Sequence, residues 1–341
     1  MSISFRRLLA GACLALAFSA PSGASAETVT VRYSNWLPAG HIFLQTINEW
    51  FADVEKATEG RVKFETFPKV VGSVPAQLDV VAEGQADMSF FVAAYKPGRF
   101  VMTRAFELPF VCNSTSALIG MLNTYYPEKF ASFKEFDGIH PITVFSVAPS
   151  HVYTREKEIK AVADFQGLKI RTGGATMVKV AELLGSVPVQ KPVSELYELA
   201  SSGVVDGAMT PSEVIKSFGL ADVMKHGLLL DGGTSSGAVV SFLMNQDKWN
   251  SISEADRAAI DKLSGNVLGQ KLAARIKAAD DAAIQAVRDN GGEVKEASPE
   301  MNAELRKITE PVVQAWIDEA RAAGLEKPEQ VVADIRETCS K

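Results

Sequence analysis

The sequence contains few of the residues that build metal or covalent catalytic sites. Only 3 cysteines and 4 histidines occur among 341 residues, and no two histidines have the spacing of a metal-binding pair. Neither a Walker loop nor a GxGxxG dinucleotide loop is present. We therefore expect no metal and no cofactor, and the absences argue against nucleotide-driven and dinucleotide-dependent enzymes.

Basic residues are outnumbered by acidic ones. The chain has 35 Lys and Arg against 41 Asp and Glu, a formal net charge of −6 at pH 7, and no basic stripe of the kind that binds nucleic acid. After the first 26 residues, no run is long and apolar enough to cross a membrane as a helix. The composition therefore favours an acidic globular protein without a nucleic-acid partner.

The N-terminus has the pattern of a secretory signal peptide. Arg6 and Arg7 precede a short apolar run at residues 8–20, and Ala24-Ser25-Ala26 matches the small-residue site that signal peptidase accepts. We predict cleavage after Ala26 and a periplasmic location. Removing residues 1–26 takes away two arginines and no acids, which lowers the formal charge to −8.

The cysteines leave two questions open. Cys13 suggests a lipoprotein, in which a lipid is attached to the cysteine. Ala10, three residues before it, disfavours this interpretation, because a branched aliphatic residue is usual at that position. Cys112 and Cys339 remain in the mature chain, in a compartment where disulfides persist. They could form one bridge tying the C-terminal tail to the first domain, but two free thiols are an equal alternative because sequence does not give the distance between them.

The order of predicted elements indicates an α/β protein. About 315 residues remain after the signal, which is too many for one small core and suggests two domains. Residues 28–33 alternate as a strand, residues 42–57 have helical spacing, and residues 62–67 return as a strand. This alternation predicts a largely parallel sheet covered by helices.

One local pattern occurs twice, near residues 77–91 and again near residues 195–209. Each copy reads as a helix, a glycine, two residues, an aspartate and a buried strand, with Gly84 in the first copy and Gly203 in the second. The repeat suits two similar α/β lobes, each contributing an equivalent strand end to a shared cleft.

The C-terminal third is predicted to be helical. Apolar residues keep helical spacing over residues 253–290, which as one helix would be about 55 Å long and could run along both lobes. Residues 299–338 add further helix, with expected interruptions at Pro311, Gly324 and Pro328.

Arg171 is the strongest candidate for a ligand contact. Residues 168–172 form a short strand with Arg171 at its C-terminal end, where open α/β sheets bind ligands. Gly173 and Gly174 let the backbone approach a ligand and open a helix whose N-terminal amides favour an anion. The planar guanidinium fits a carboxylate through two hydrogen bonds. On spacing alone, a surface arginine paired with an acid is the more frequent arrangement.

Five short motifs follow one another along the chain. They are Gly84-Gln85-Ala86-Asp87, Glu107-Leu108-Pro109-Phe110, Gly167-Leu168-Lys169-Ile170-Arg171, Ser194-Glu195-Leu196-Tyr197, and Val204-Val205-Asp206-Gly207 with Pro211. With these motifs in this order, residues 27–330 resemble the solute receptors of tripartite ATP-independent periplasmic (TRAP) transporters. The resemblance implies a two-lobed periplasmic binding protein, with a ligand cleft between the lobes and a long helix running along both. It implies lobe I at 27–148 plus 238–277, and lobe II at 149–237 plus 278–341.

The resemblance also implies a role for Arg171 and for partner proteins. In that family the arginine of the GLKIR-like strand pairs with the substrate carboxylate, which reverses the preference for a surface ion pair. The receptor would deliver its ligand to membrane-embedded carrier subunits driven by an ion gradient. We expect a monomer.

Departures from the family pattern suggest the character of the ligand. His151 stands where many relatives have a second arginine, and Thr210 replaces an asparagine that often precedes the proline. Residues 92–95 replace the glutamate found in receptors for acid sugars. Fewer charged groups predict a small monocarboxylate with an apolar body.

The remaining candidates complete the predicted site. Aromatic side chains could form its apolar wall, although such residues are often plain core. His151 could donate a hydrogen bond to the carboxylate or be exposed and without function. The predicted ligand-binding residues are Arg171, His151, Thr210, Trp36, Phe91, Val92, Tyr95, Gly173 and Gly174.

Residues 233–237 match the GxSxG elbow of hydrolases, but no histidine follows Ser235, as that catalytic triad requires, so the match is interpreted as accidental and no enzyme is expected. Three alternatives stay open. A periplasmic enzyme would need a proton-transfer or nucleophilic group in the cleft, and the sequence offers only His151. A receptor of an ATP-driven importer would share the lobes but not these motifs in this order. A small amine or alcohol as ligand would need an acid in the pocket, and Glu213 or Glu107 is the candidate.

Overall fold

The computed structural model describes residues 28–340. The predicted signal peptide, residues 1–26, lies outside the described residues and stays a prediction. No helix within 28–340 is long and apolar enough to cross a membrane.

Strands and helices alternate along most of the described chain. The strands are β1 Val29–Ser34, β2 Val62–Thr66, β3 Met88–Val92, β4 Ile139–Ser146, β5 His151–Thr154, β6 Lys169–Thr172, β7 Val187–Gln190, β8 Gly207–Thr210, β9 His226–Leu229, β10 Val239–Asn245 and β11 Glu293–Glu296. The α-helices are α1 Ile42–Ala57, α2 Gln77–Ala82, α3 Thr115–Tyr125, α4 Ala175–Leu183, α5 Leu196–Ser201, α6 Ser212–Ser217, α7 Gln246–Ser251, α8 Glu254–Asp261, α9 Gly265–Asp289, α10 Pro299–Ala322 and α11 Pro328–Cys339.

The strands form two sheets, in the orders β2-β1-β3-β10-β4 and β11-β9-β5-β8-β6-β7. We call the parts built on them the first and the second lobe. Neither sheet is fully parallel, because β10 and β5 pair antiparallel with both of their neighbours. Each of these two strands enters its sheet directly from the other lobe rather than through a crossover helix. The expectation of two α/β lobes is confirmed, with mixed rather than largely parallel sheets.

Two chain segments, residues 147–150 and 230–238, join the lobes side by side. Ser150 and Ser235 pair across them as an isolated antiparallel bridge, with the Ser150 N–H donating to the Ser235 carbonyl at 2.8 Å. Short paired segments of this kind are where a two-lobed protein can bend.

The first β–α–β unit follows the predicted pattern. Helix α1 buries Phe43, Ile47, Trp50 and Val54 on the face toward the first sheet. Its N-terminus is capped by His41, whose ring nitrogen Nδ1 accepts the Phe43 N–H. This hydrogen bond fixes the His41 ring in the connection between β1 and α1, on the side that faces the cleft.

The helix predicted over residues 253–290 is divided. Helix α8 ends at Asp261, and α9 begins at Gly265, which has a positive φ of 56° that breaks helical geometry. The 25 residues of α9 span about 37 Å. They pack against α1, α3 and β4 of the first lobe and against α6 and β11 of the second, so one long helix does run along both lobes.

Pro311 does not interrupt the C-terminal helix as predicted. Helix α10 continues through it, because tertiary packing on both sides of the proline holds the helix in place. Leu305 and Val312 pack into the second lobe, whereas Val313 and Trp316 pack into the first. The predicted breaks at Gly324 and Pro328 do separate α10 from α11.

The end of the chain returns to the first lobe. Cys339 at the end of α11 is bridged to Cys112, with the Cα atoms 5.3 Å apart. The Trp316 indole N–H donates to the Val101 carbonyl at 2.7 Å. The segment 278–341, expected in lobe II, is therefore divided, with its last part packed on first-lobe residues.

Candidate ligand site

A cavity lies between the two lobes at the C-terminal ends of β3, β6 and β8. It is bordered mainly by apolar side chains, with a few polar groups among them, a character typical of small-molecule sites. Its lining residues include Trp36, Leu37, His41, Phe43, Phe90, Val92, Ala94, Tyr95, Glu107, Val147, Arg171, Gly173, Gly174, Thr176, Met177, Val193, Met209, Thr210, Pro211, Glu213, Val214, Phe218, Ser235, Ala238 and Val240.

Arg171 lies on the second-lobe wall of this cavity. Its side chain emerges near the end of β6, and the residue is only 3% exposed. Its Nε donates to the Lys191 carbonyl at 2.9 Å. Glu195, an acid whose charge favours the charged form of Arg171, pairs with the Lys191 ammonium at 3.0 Å. The surface ion pair that spacing alone favoured is therefore wrong for this arginine, which is buried.

The charge on Arg171 is poorly compensated within residues 28–340. Burial lowers the pKa of the guanidinium from its ordinary value, and Tyr95 is the main group acting in the opposite direction. An arginine nonetheless stays charged at any physiological pH. A buried cation that no acid side chain of the described chain neutralises by a direct ion pair is costly unless an anion is available to it.

Tyr95 and Gly174 connect the lobes beside Arg171. The Tyr95 hydroxyl, from the first lobe, accepts the backbone N–H of Val193 in the second lobe at 2.8 Å. A Cβ atom on Gly174 would lie 2.6 Å from the Ala94 Cβ, so only glycine permits this approach. At Gly173 a Cβ would lie 3.5 Å from the guanidinium. The lobes are thus in contact across the cleft, and the two glycines border the cavity.

Trp36, Val92 and Thr210, which are among the predicted ligand-binding residues, also line the cavity. The Trp36 indole N–H donates to the Phe90 carbonyl at 2.8 Å, which leaves the ring as an apolar wall. The Thr210 hydroxyl is buried and has no hydrogen-bond partner among residues 28–340. An unpartnered buried hydroxyl beside a ligand cavity is available to a ligand.

Phe91 does not line the cavity. Successive residues of a strand face opposite sides, and Phe91 packs into the first-lobe core against Phe100, with ring centroids 5.3 Å apart. Its neighbour Phe90 faces the cavity and packs against Trp36 and Phe43. The prediction chose the wrong face of β3.

His151 is also outside the lining residues. Its Nδ1 accepts the Leu230 N–H at 3.1 Å, so the imidazole is turned toward the segment that joins β9 to β10. Burial lowers the pKa of His151 to about 4. The ring is therefore neither a hydrogen-bond donor to the cavity nor an exposed group.

The GxSxG match forms part of the connection between the lobes. The Ser235 hydroxyl donates to the Glu107 carbonyl at 2.8 Å, an ordinary structural bond rather than the bond to a histidine that a nucleophile requires. Glu107 borders the cavity, and one of its carboxyl oxygens accepts the Val239 N–H at 2.8 Å. Burial raises the pKa of Glu107 to about 7.

Two further polar residues, His41 and Glu213, border the cavity and face each other from opposite lobes. The His41 Nε2 lies 3.8 Å from the Glu213 Oε2, and both side chains are almost fully buried. Burial lowers the pKa of His41 to about 4 and raises that of Glu213 to about 8. The sequence named Glu213 only for an alternative ligand and did not suggest His41, because the two residues are far apart along the chain.

Comparison with known proteins places the chain in a family. The family model described as "Bacterial extracellular solute-binding protein, family 7" matches residues 33–319. A TRAP periplasmic solute-binding protein from Bordetella bronchiseptica, solved with (R)- and (S)-mandelate, is 31% identical, with a TM-score of 0.85 over 92% of this chain and 99% of that one.

Two further solved structures are similar over the same extent. A marine-metagenome TRAP solute-binding protein described as specific for aromatic acid ligands, in complex with 3-hydroxybenzoate, is 30% identical, with a TM-score of 0.85 over 92% of this chain and 98% of that one. A TRAP solute-binding protein from Rhodoferax ferrireducens, with copurified benzoate, is 26% identical, with a TM-score of 0.83 over 92% and 98%.

These relatives are extracytoplasmic binding receptors rather than enzymes, which agrees with the interpretation of the GxSxG match as accidental. They also confirm the resemblance to TRAP receptors that the motifs predicted. The chain belongs to the bacterial extracellular solute-binding proteins of family 7.

Proposed function

We propose that this protein is the periplasmic receptor of a TRAP transporter and captures a small monocarboxylate with an apolar, aromatic body. Arg171 holds the carboxylate, and the apolar side chains of both lobes surround the rest of the molecule. The ligand is then delivered to membrane-embedded carrier subunits.

The observation that carries this proposal is the buried guanidinium of Arg171, which forms no direct ion pair with an acid side chain within residues 28–340. Its terminal nitrogens lie at the cavity wall beside Gly173, and its Nε is already held by the Lys191 carbonyl. A carboxylate would receive two hydrogen bonds from a planar group that is fixed in advance. It would also supply the negative charge that the site lacks, which makes an acid preferable to a neutral ligand.

The rest of the cavity supports an aromatic body. Trp36, Phe43, Phe90 and Phe218 contribute ring faces and edges, and Met177 adds a flexible side chain. Aromatic and thioether groups pack well against a ligand ring. The mandelate, 3-hydroxybenzoate and benzoate in the similar structures are monocarboxylates with a single aromatic ring, which is consistent with this shape.

An amine ligand is less well supported. Glu213 and Glu107 do border the cavity, as that alternative requires. Burial raises the pKa of both carboxyl groups, to about 8 and about 7. A carboxyl group that is half or more protonated near pH 7 is a weak anchor for a cation, and Arg171 in the same cavity would repel one.

Closure links binding to delivery. A ligand that contacts Arg171 on the second lobe and Trp36 on the first binds best when the lobes are together, so it shifts the population toward the closed form. The boundaries of lobe I (27–148 plus 238–277) and lobe II (149–237 plus 278–341, with α11 packed on the first lobe), the signal cleavage after Ala26 and the monomeric state are parts of this proposal.

Replacing Arg171 tests the anchor. We expect Arg171→Met to lower the affinity for benzoate and mandelate by at least about 100-fold, since a charge-assisted pair in a buried site contributes about 3 kcal/mol or more. Arg171→Lys should keep the charge but lose the two-point fit, giving an intermediate affinity. Isothermal titration calorimetry on the purified mature protein measures both variants.

Arg321→Met is the matched control, because Arg321 is a half-exposed arginine paired with Asp318 and Glu329, away from the cavity and from the segments that join the lobes. It should bind like the wild type. If Arg171→Met retains wild-type affinity while its melting temperature is normal, the anchor lies elsewhere. Mass spectrometry of molecules that copurify with the wild type would identify the natural acid.

A further inference from the structure

The pair His41–Glu213 forms a second polar point in the ligand cavity. His41 precedes α1 in the first lobe, and Glu213 lies in the first turn of α6 in the second. Each residue is 2% exposed, and both line the cavity that contains Arg171. Two buried polar groups facing each other from opposite lobes need a reason to be there, because desolvating them is costly.

Part of the hydrogen-bonding capacity of this pair is unused among residues 28–340. The Nδ1 of His41 accepts the Phe43 N–H, so the neutral ring carries its proton on Nε2. That Nε2 lies 3.8 Å from the Glu213 Oε2, which is too long for a hydrogen bond. The Glu213 Oε2 accepts from the Ser217 hydroxyl at 2.8 Å, and no bond within the described chain uses its Oε1.

A donor and an acceptor at this separation suit one oxygen atom between them. An oxygen about 2.8 Å from both His41 Nε2 and the Glu213 carboxyl fits across a gap of this size. It would accept from the imidazole and donate to the carboxyl group. A hydroxyl group does both, whereas an ammonium cannot accept from the imidazole.

We propose that His41 and Glu213 determine specificity by binding a hydroxyl group on the body of the ligand, so that the receptor prefers hydroxylated aryl monocarboxylates over the unsubstituted acids. This inference rests on the proposed function, in which Arg171 holds the carboxylate.

The surrounding charges favour a hydroxyl over a second carboxylate. His41 is neutral near pH 7, because burial lowers its pKa to about 4. Asp280 stands behind Glu213 and accepts its backbone N–H at 2.7 Å. Among the described side chains that line the cavity, Arg171 at the other end is the one cation, so a second carboxylate at this end would lack a cationic partner and dicarboxylates are disfavoured.

Because His41 and Glu213 belong to different lobes, the hydroxyl group that they bind also affects closure. A hydroxyl bound by both is available only when the lobes are together, so it strengthens binding to the closed form. The pair thereby couples recognition of the ligand body to closure.

Calorimetric titration of matched acids tests the inference. The probes are benzoate with 3-hydroxybenzoate, phenylacetate with mandelate, and phenylacetate with 3-hydroxyphenylacetate. In the wild type, at least one hydroxylated acid should bind at least about tenfold more tightly than its parent, because a site built to bind a hydroxyl discriminates against its absence. The readout is the ratio of the two affinities within each pair.

Three variants locate the source of that ratio. Glu213→Met removes the acceptor at similar length and should bring the ratio close to one. His41→Asn keeps a capping group for the Phe43 N–H but does not reach Glu213, and it should do the same. Glu213→Gln keeps hydrogen-bonding atoms in place and should retain part of the preference. The exposed Glu326→Gln should leave the ratio unchanged.

The outcomes separate this inference from the proposed function. If the wild type binds no acid of any pair, the proposed function itself fails. If the parent and hydroxylated acids bind equally, the inference is overturned while the Arg171 anchor stands. A preference that survives in both Glu213→Met and His41→Asn also overturns it. Should Glu213→Met fail to fold, judged by circular dichroism, His41→Asn and Glu213→Gln decide.

Discussion

At the scale of single residues, the buried carboxyl group of Glu107 makes stability depend on pH. Burial raises its pKa from 4.5 to about 7, so the folded protein keeps this proton at a pH where the unfolded chain has lost it. The stability contributed by the protonated form is fully present below about pH 4.5 and is lost as the pH rises through about 7.

We predict that Glu107→Gln removes this loss of stability at rising pH. Glutamine keeps an oxygen for the Val239 N–H and cannot ionise. The free energy of unfolding of the variant should rise relative to wild type between about pH 4.5 and 7, by on the order of 3 kcal/mol. Urea denaturation at several pH values, without ligand, measures it. Glu326→Gln, at an exposed position, is the control, and parallel curves for Glu107→Gln and wild type would contradict the prediction.

The site residues show which parts of a ligand site can be predicted from sequence. Strand ends and motifs predicted that four residues lie near the cleft, because these features fix the course of the backbone: Arg171, Gly173, Gly174 and Thr210. Phe91 was misplaced because an uninterrupted apolar run does not show which face of a strand points to the cleft. Tertiary contacts also cannot be read from the sequence. One of them is the hydrogen bond from the Leu230 backbone N–H to His151, which turns the imidazole away from the cavity.

At the scale of elements, the C-terminal helix α11 is held to the first lobe by packing and by the bridge from Cys339 to Cys112. Val331, Val332 and Ile335 are buried in the first-lobe core. The sequence predicted the helices of this region from their spacing. It could not decide the bridge or place the helices on a lobe, because both depend on contacts with distant parts of the chain.

We predict that breaking this bridge weakens the fold and spares the site. The double variant Cys112→Ser, Cys339→Ser should lose about 2–5 kcal/mol of unfolding free energy, because a cross-link between distant residues restricts the unfolded chain. The bridge lies outside the residues that line the cavity, so affinity for the acids should be unchanged at 25 °C. Denaturation with and without a reducing agent measures the effect, and the double variant, insensitive to reductant, is the control. Equal stability of oxidised and reduced wild type would refute it.

At the scale of the whole molecule, function depends on two lobes that meet around a ligand. The sequence predicted both lobes and a helix along them, since the order of motifs and the periodicity of apolar residues can be read without knowledge of tertiary contacts. The contacts that bring the lobes together are few and specific. The Tyr95 hydroxyl receives the Val193 N–H, and Gly174 lies against Ala94.

The contact between Gly174 and Ala94 allows closure to be tested separately from ligand chemistry. Gly174 has an extended backbone with φ of −169°, so alanine is compatible with the fold of the second lobe. Its Cβ would lie 2.6 Å from the Ala94 Cβ only when the lobes are together. We predict that Gly174→Ala keeps its melting temperature without ligand but binds the acids about tenfold or more weakly, since overpacking of this kind costs about 1–3 kcal/mol.

Ala94→Gly in the same chain should restore binding, because it removes the Cβ that the new methyl group meets. Small-angle X-ray scattering should show ligand-induced contraction in the wild type and in the double variant, and less in Gly174→Ala. A Gly174→Ala protein that contracts and binds like the wild type would show that this contact does not limit closure. Weak binding that Ala94→Gly does not rescue would mean that Gly174 acts on the ligand directly, through the approach of its backbone beside Arg171.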